Sequence, residues 1–479
     1  MKIAFLQETV NQNVGIMYLS ALLKRKGYHC ELFVKSLERN NFSRAVSSYE
    51  PDILGFSVIT GSHHWALDTA RHFKRSLPNV LVIFGGPHPT YFPEIVNEEM
   101  VDVIARGESE VSFPELAKRV EEGRDFSDIL GLWVNKGGHV HRNDVAPLVE
   151  DLSSLPHPDH SLYLKYGFYK EQTEVPFSTI RGCPFKCAFC YNHTKAGLYR
   201  GKGRFVRTRE VRDVIEEMRA ARHLYPNMQT VILYDDIVGM NKEWLVRFCD
   251  EYIKYIDMPW FTSLRPDMAD ESIIKKMSEA KCFCLSMGVE TGDEELRSRI
   301  LCKKIPNSKY IEVAGLIHKF GIKVRTSNMF FLPGEDIQKA IKTVEINRQM
   351  ATDFAWGYTL QPYPGTDIHE YSVKNGYLSP DFQFDDIDPL GLTKQIVETK
   401  DKNKITVLHR LFQLAVHNGF IYRMIKNLVI IPPNPVFDFL YYYSLIASYS
   451  RYHNVSFWRA LSVAWSNYME TRKKSRAFA

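Results

Sequence analysis

No segment of these 479 residues stays apolar for the roughly 18 positions that a membrane-spanning helix requires. Cysteine is scarce, at eight residues, and does not fall into the paired pattern of a disulfide framework. The strand-like opening Lys2-Ile3-Ala4-Phe5-Leu6 does not resemble a cleavable leader. A reducing, cytoplasmic location is therefore expected, with association to a membrane surface as the alternative. Strong net charge is also missing: the balance is +5, which gives no reason to expect a nucleic-acid partner. The G-x-G-x-x-G fingerprint is absent after the first apolar stretch, which weakens a dinucleotide-binding reading. What remains is an ordinary globular composition, 45% hydrophobic and 24% charged, long enough for two or three domains.

Three of the eight cysteines crowd into Arg181-Gly182-Cys183-Pro184-Phe185-Lys186-Cys187-Ala188-Phe189-Cys190-Tyr191-Asn192, spaced C-x3-C-x2-C. A structural zinc site wants four ligands, usually as two pairs. Three thiolates in one loop suit a cluster with one metal corner left open, and soft thiolates select iron–sulfur or zinc over magnesium and calcium. The other five, Cys30, Cys249, Cys282, Cys284 and Cys302, lack useful spacing and read as core residues.

Upstream of this loop, strand patterns near 2–7, 28–34, 52–58, 80–84 and 101–105 alternate with helical patterns at 14–26 and 63–75. Such alternation predicts a parallel, doubly wound sheet whose ligand loops follow the strands. Those loops carry Thr60, Gly61, Ser62, His63 and His64; then Gly85, Gly86, His88 and Thr90; then Gly107 and Glu108. A hairpin around Gly137-Gly138 and an extended, proline-containing connector over 147–170 follow.

Six strand–helix units come next, with strands near 175–180, 230–234, 260–264, 284–289, 322–331 and 356–361. Helices are expected at 208–224, 241–256, 270–279, 294–300 and 337–349. Polar or glycine residues close every strand, among them Asp235-Asp236, Glu290-Thr291-Gly292, Leu332-Pro333-Gly334-Glu335 and Pro364-Gly365-Thr366, which describes a parallel barrel with its site on that rim. The tail reads as helices at 406–416, 420–428, 436–452 and 455–468, broken by Pro432-Pro433-Asn434-Pro435. From position 401 onward eleven Lys/Arg face three Asp/Glu, a net of +8 that leaves the first 400 residues at −3. Its aromatics, Trp458 and Trp465 among them, lie amid Arg423, Lys426, Arg451, Arg459, Arg472, Lys473 and Lys474. This composition suits peripheral contact with an anionic membrane, a lid over an apolar substrate, or a helical cap on the barrel.

The cysteine loop with an aromatic before its last cysteine, the six units and the ordered rim motifs, preceded by Gly85-Gly86-Pro87-His88-Pro89-Thr90 and Arg106-Gly107-Glu108, together resemble the cobalamin-dependent radical S-adenosylmethionine (SAM) enzymes over residues 1–370. The resemblance implies an α/β chain: a Rossmann-like cobalamin-binding domain at 1–140, a linker at 141–170, a partial (β/α)6 barrel at 171–370 and an α-helical domain at 371–479. It implies that Cys183, Cys187 and Cys190 bind three irons of a [4Fe-4S] cluster whose fourth iron is chelated by SAM. Candidate SAM contacts are Phe189, Tyr234, Asp235, Asp236, Ser263, Arg265 and Glu290, with Arg325 and Asn328 expected to face the barrel interior. Candidate cobalamin contacts are Thr60, Gly61, Ser62, His63, Gly85, Gly86, His88, Thr90, Gly107 and Glu108.

The D-x-H-x-x-G motif that ligates cobalt elsewhere is missing; Asp367-Ile368-His369 lacks the glycine. Capping or packing roles are expected for His63 and His64, with an approach to cobalt as the alternative. The implied chemistry is reductive cleavage of SAM to a 5′-deoxyadenosyl radical, hydrogen abstraction from an unactivated carbon, and methyl transfer from methylcobalamin to a small-molecule or lipid substrate. A reductant such as flavodoxin or ferredoxin would supply the electron. Radical cyclisation without methylation, resembling the anaerobic magnesium-protoporphyrin ester cyclase, is a second expectation, and an iron–sulfur scaffold or sensor a third.

Overall fold

The structure is a computed structural model that describes residues 1–388, 391–452, 456–458 and 461. Most of the helix expected at 455–468 lies outside these residues, as do Trp465, Arg459, Arg472, Lys473 and Lys474.

The first sheet is built from β1 (Lys2–Gln7), β2 (His29–Val34), β3 (Ile53–Ser57), β4 (Leu81–Gly85), β5 (Val103–Ala105), β6 (Leu132–Lys136) and β7 (His139–Arg142). Its order is β2-β1-β3-β4-β5-β6-β7. β1 to β5 pair in parallel, and helices cover both faces, so Ile3 to Leu6 are buried without alternation. The chain order reverses between β1 and β3, and the crevice beyond their carboxyl ends is where such sheets take ligands. The glycine hairpin is not a free linker. It adds β6 and β7 antiparallel to the sheet edge, with Trp133 stacked against Arg106 and Arg142.

The connector then folds back over this sheet. Tyr163 and Tyr169 are fully buried, and the Tyr163 hydroxyl donates to Gln7 Oε1 (2.9 Å) and accepts from the Asn13 amide (2.8 Å). Aromatic spacing without helical period in 147–170 thus serves a wrapping strap.

The second sheet is parallel and follows chain order: β8 (Glu174–Phe177), β11 (Thr230–Leu233), β12 (Trp260–Ser263), β13 (Cys282–Glu290), β14 (Lys323–Phe330) and β15 (Phe354–Thr359). β9 (Ile180–Arg181) and β10 (Arg207–Thr208) form a separate antiparallel pair flanking the cysteine loop. Outward residues such as Val175, Val231, Leu285 and Val324 join the helical layer. Inward residues Ile232, Phe261, Cys284 and Phe354 form a small apolar plug with Trp356 and Tyr452. Cys30, Cys249, Cys282 and Cys284 are free thiols, the last three buried as expected, whereas Cys302 is exposed.

Two local expectations change. The segment expected as a helix at 294–300 is one π-type turn, Leu296–Ile300, and the real helix is Asn307–Lys319. Arg297 inside that turn is wholly buried and donates to the Thr291 and Ile305 carbonyls, which binds the turn to the sheet end. Tyr191–Leu198 forms a helix directly after the third cysteine; none of its residues is fully buried, so no apolar periodicity announced it.

Helix Lys402–His417 is the keystone of the tail. It packs on helix Ile337–Gln349, on β15, and on helices Gly419–Leu428 and Pro435–Tyr452. Within it His409 is buried and donates from Nε2 to the Gly357 carbonyl (3.1 Å). Burial, reinforced by the Arg410 charge, pushes the His409 pKa down to about 3 despite that carbonyl. A histidine that must stay neutral when folded stabilises the protein above its unfolded pKa, and the contribution is lost as pH falls below that value toward the folded one. Between about pH 7 and about pH 5 this site should cost about 2 kcal/mol. Urea titrations should therefore show a smaller loss over that interval for His409→Gln than for the unaltered chain.

Candidate active site

The cysteine loop is held at both ends by contacts that its own sequence dictates. Gly182 adopts φ +85°, and a Cβ there would stand 2.3 Å from the Phe205 carbonyl oxygen, so only glycine lets β9 leave the β10 pairing. Ala188 donates its amide to Leu301 O (3.1 Å), and its carbonyl accepts from the Ile368 amide (2.9 Å). Tyr191 Oη donates to Pro364 O (2.9 Å) and Thr194 Oγ1 to Gly365 O (3.1 Å), which tethers the loop to the Pro364-Gly365-Thr366 rim. Cys183, Cys187 and Cys190 are free, half-buried thiols. Burial pushes all three pKa values up, that of Cys190 to about 11. A cavity of about 400 Å³ opens beside Cys183, Phe185, His193 and Phe205.

The rim residues separate into those that face the cysteines and those engaged elsewhere. Asp236 is exposed, and its charge acts on the Cys183 and Cys190 thiols. Asp235 is a correction: it is buried and accepts from the Thr179 amide (2.7 Å), the Ile180 amide (3.1 Å) and Thr179 Oγ1 (2.5 Å). Its carboxylate holds the β8–β9 turn. Arg265 Nη1 lies 4.0 Å from Cys187 Sγ, and its guanidinium stacks 3.5 Å over Phe185 while Asp267 accepts two hydrogen bonds from it. Glu290, at φ +66°, is buried against Lys303 Nζ (2.9 Å). Ser263 ends β12, half-buried, and Phe189 is half-buried against the core under the helical tail.

Arg325 and Asn328 cannot share a face, because they are three residues apart on a strand of period two. Arg325 points inward and stacks among Phe261, Trp356 and Tyr452, in the apolar plug. Asn328 points outward and is wholly buried, bonded to Asn347 Nδ2 (2.8 Å), Thr326 Oγ1 (3.0 Å) and the Trp356 carbonyl (3.0 Å). Asn328 is therefore corrected from cofactor contact to packing. Gly292 likewise serves packing, since a Cβ there would meet Lys342 O at 2.0 Å.

At the first sheet, the three ligand loops are brought together. Thr60 Oγ1 bonds His88 Nδ1 (3.1 Å), and the Gly107 amide donates to Thr90 Oγ1 (3.0 Å), which in turn donates to Gly86 O (2.7 Å). Ser62 Oγ donates back to Ile59 O (3.0 Å), and Gly85 closes β4. Gly86, at φ +95°, lets the chain pass Val58 at a distance no side chain would allow.

His63 and His88 stack at 4.3 Å, burial lowering both pKa values, that of His88 to about 3. His63 Nε2 (2.7 Å) and His64 Nε2 (2.9 Å) converge on Asp385 Oδ1, the one grouping among the described residues with the dimensions of a single-ion site. His63 Nδ1 accepts from the Gly61 amide (3.1 Å), so Nε2 carries the proton, which it donates to Asp385.

Glu108 turns away from that crevice. Arg181 Nη1 donates to it (3.0 Å), Arg207 Nη2 likewise (2.5 Å), and Lys195 stands 3.7 Å away. Arg181 also reaches Glu110 (2.6 Å). Burial would raise the Glu108 pKa, but the Arg207 hydrogen bond and the charges of Arg181 and Lys195 hold it at about 2. Glu108 is thus corrected from cofactor contact to the ion bridge between the first sheet and the cysteine loop. Sequence reading missed that bridge, and also the Tyr91–Tyr191 stack (3.8 Å) across the same boundary, because partners a hundred residues apart leave no local signal. It also missed Ile59, which is 53% exposed at the carboxyl end of β3, as Tyr234 is 64% exposed at the end of β11. Large apolar side chains left open at both strand ends suit large, flat ligands.

Comparison with known proteins agrees with this geometry. Residues 8–117 match the B12 binding domain and residues 177–346 the Radical SAM superfamily. An uncharacterized methyltransferase of Pyrococcus horikoshii is 28% identical over 383 residues, covering 77% of this chain and 80% of that protein. The anaerobic magnesium-protoporphyrin IX monomethyl ester cyclase of Rubrivivax gelatinosus is 25% identical over 374 residues, 74% of this chain but only 65% of the cyclase. The cobalamin-dependent SAM radical enzyme OxsB, with aqua-cobalamin and SAM bound, shares the fold at a TM-score of 0.71 and 15% identity, over 99% of this chain and 80% of OxsB. The methyltransferase TsrM from Kitasatospora setae, with cobalamin and a [4Fe-4S] cluster bound, gives a TM-score of 0.66 and 15% identity, over 89% of this chain and 98% of TsrM. With a B12 binding domain joined through the Glu108 bridge to a radical SAM barrel, the chain belongs to the cobalamin-dependent radical SAM enzymes.

Proposed function

We propose that this enzyme methylates an unactivated carbon of an apolar substrate. In this reading residues 1–140 hold cobalamin, 171–370 hold the cluster and SAM, and 371–479 cap the barrel. When bound, the [4Fe-4S] cluster, SAM and cobalamin supply a 5′-deoxyadenosyl radical and a transferable methyl group. The chain's own residues bind and orient. Cys183, Cys187 and Cys190 offer three soft donors and leave one corner for SAM. Asp236 offers a carboxylate to the SAM ammonium on the cysteine side, and Ser263 a hydroxyl to its polar end. Tyr234 and Ile59 offer apolar faces, and the Thr60–His63, Gly85–Thr90 and Gly107 loops line the corrin side.

The observation that carries the reading is the Glu108–Arg181–Arg207 bridge. It docks the loops of the B12 binding domain on the residue that precedes the cysteine loop, so a methyl donor and a hydrogen-abstracting group would serve one substrate. Resemblance to a methyltransferase over four-fifths of its length supports the same reading. Anaerobic, reconstituted enzyme given SAM and a reductant should accumulate 5′-deoxyadenosine, and Cys187→Ala should abolish it. Mass spectrometry of products from cells with and without the enzyme should show a gain of one CH2. Product formed with no added carbon would instead favour the cyclase reading, to which the Rubrivivax relative lends support. No SAM cleavage by reconstituted enzyme would overturn both.

A further inference from the structure

Among the described residues, the helical tail carries an apolar corner that no other segment covers. Of the nineteen exposed large hydrophobic residues among the described residues, nine lie between positions 420 and 458. They centre on the turn between helices Gly419–Leu428 and Pro435–Tyr452: Ile430 is 70% exposed, Val436 64% and Phe439 67%. Phe439 and Tyr443 stack one turn apart on the second helix, while Phe437 and Tyr441, two residues before each, face inward to the core. The same helix thus presents two apolar faces, one packed and one open. Pro432 and Pro433 are exposed and hold the turn extended. On the preceding helix Phe420 and Met424 are open, beside exposed Arg423 and Lys426, neither of which has an acidic partner among the ion pairs of the described residues.

Charge decides what fits this corner. Between positions 419 and 452, which form the two helices and their turn, Arg423, Lys426 and Arg451 stand against Asp438 alone, a net of +2. A second copy of this chain would bring the same positive charge to the corner, and a neutral apolar partner would leave the cations unused. Exposed apolar side chains beside unpaired cations match the boundary of an anionic bilayer, where apolar groups enter the acyl region and Lys/Arg meet headgroup phosphates. No helix among the described residues is long and apolar enough to cross a membrane, so the contact would be peripheral.

We propose that the turn between Gly419–Leu428 and Pro435–Tyr452 docks the enzyme on the surface of an anionic membrane, with Ile430, Val436 and Phe439 inserted and Arg423 and Lys426 on the headgroups. This does not depend on the methylation reading. Full-length enzyme should co-float with vesicles containing phosphatidylglycerol and only weakly with phosphatidylcholine vesicles, and added salt should weaken the first. Ile430→Ser with Phe439→Ser should lower binding at least about tenfold, as should Arg423→Glu with Lys426→Glu. Leu130→Ser, an exposed apolar residue on the first domain, should change nothing. All variants should keep the unaltered unfolding midpoint, since these side chains already lie in solvent. Failure to float with phosphatidylglycerol vesicles would overturn the proposal, as would unchanged binding by both double variants. So would a dimer in sedimentation that the Ile430/Phe439 variant dissolves while vesicle binding is absent.

Discussion

Glu108→Ala should destabilise the enzyme by about 3–5 kcal/mol, because it strips a buried arginine of its counter-charge. Arg207 is 1% exposed and Glu108 11%, so the cation left behind cannot regain water. Arg181 would keep Glu110, but Arg207 would keep only the Val149 carbonyl. The loss should appear as a lower urea midpoint, and Arg207→Met added to Glu108→Ala should recover part of it by removing the stranded charge. A simple surface pair would show neither the size nor the recovery.

The bridge also has a defined acid sensitivity. A carboxylate held below its ordinary value stabilises the fold above the unfolded pKa and loses that contribution as pH falls through the folded one. For Glu108 the window runs from about 4.5 down to about 2. Glu108→Ala should flatten the stability profile there.

Gly182→Ala should weaken the cluster while leaving all three thiols in the chain. An added Cβ would overlap the Phe205 carbonyl at 2.3 Å, and L-residues at φ near +85° carry an added conformational cost of about 1–2 kcal/mol. Relief requires β9 to part from β10, which moves Cys183 relative to Cys187 and Cys190. Iron and sulfide bound per chain after anaerobic reconstitution should fall severalfold. Gly197→Ala makes the control: it lies in the next helix, and its Cβ would meet nothing within 4 Å.

The barrel shows why some site residues were legible in the sequence and others not. C-x3-C-x2-C is a local pattern whose chemistry follows from ligand type and count, so Cys183, Cys187 and Cys190 needed no fold to be singled out. Strand ends were legible too, because a buried parallel strand is an apolar run stopped by glycine and acids, and all six barrel strands appear in chain order. Asp235 and Asp236 were not separable. Adjacent residues after a strand point to opposite sides, and only the tertiary structure shows that Asp235 goes under the Thr179 turn while Asp236 stays exposed. Asn328 was misread by ignoring a parity that the sequence does contain. Arg325 was placed on the correct face yet in the aromatic plug, since depth along a strand depends on the partners beside it.

What the sequence alone determined is the inventory: a three-thiolate loop, a doubly wound module before it, six parallel units around it and a basic aromatic tail after it. These follow from periodicity, ligand chemistry and charge, which act over a few residues. Only the tertiary structure decided how the inventory is joined: Glu108 as an ion bridge rather than a ligand, His63 protonated toward Asp385, Ile59 and Tyr234 left open, and the Ile430–Phe439 corner facing solvent. Each depends on groups brought together from distant parts of the chain, where burial and partner charge, not residue type, set what a side chain does.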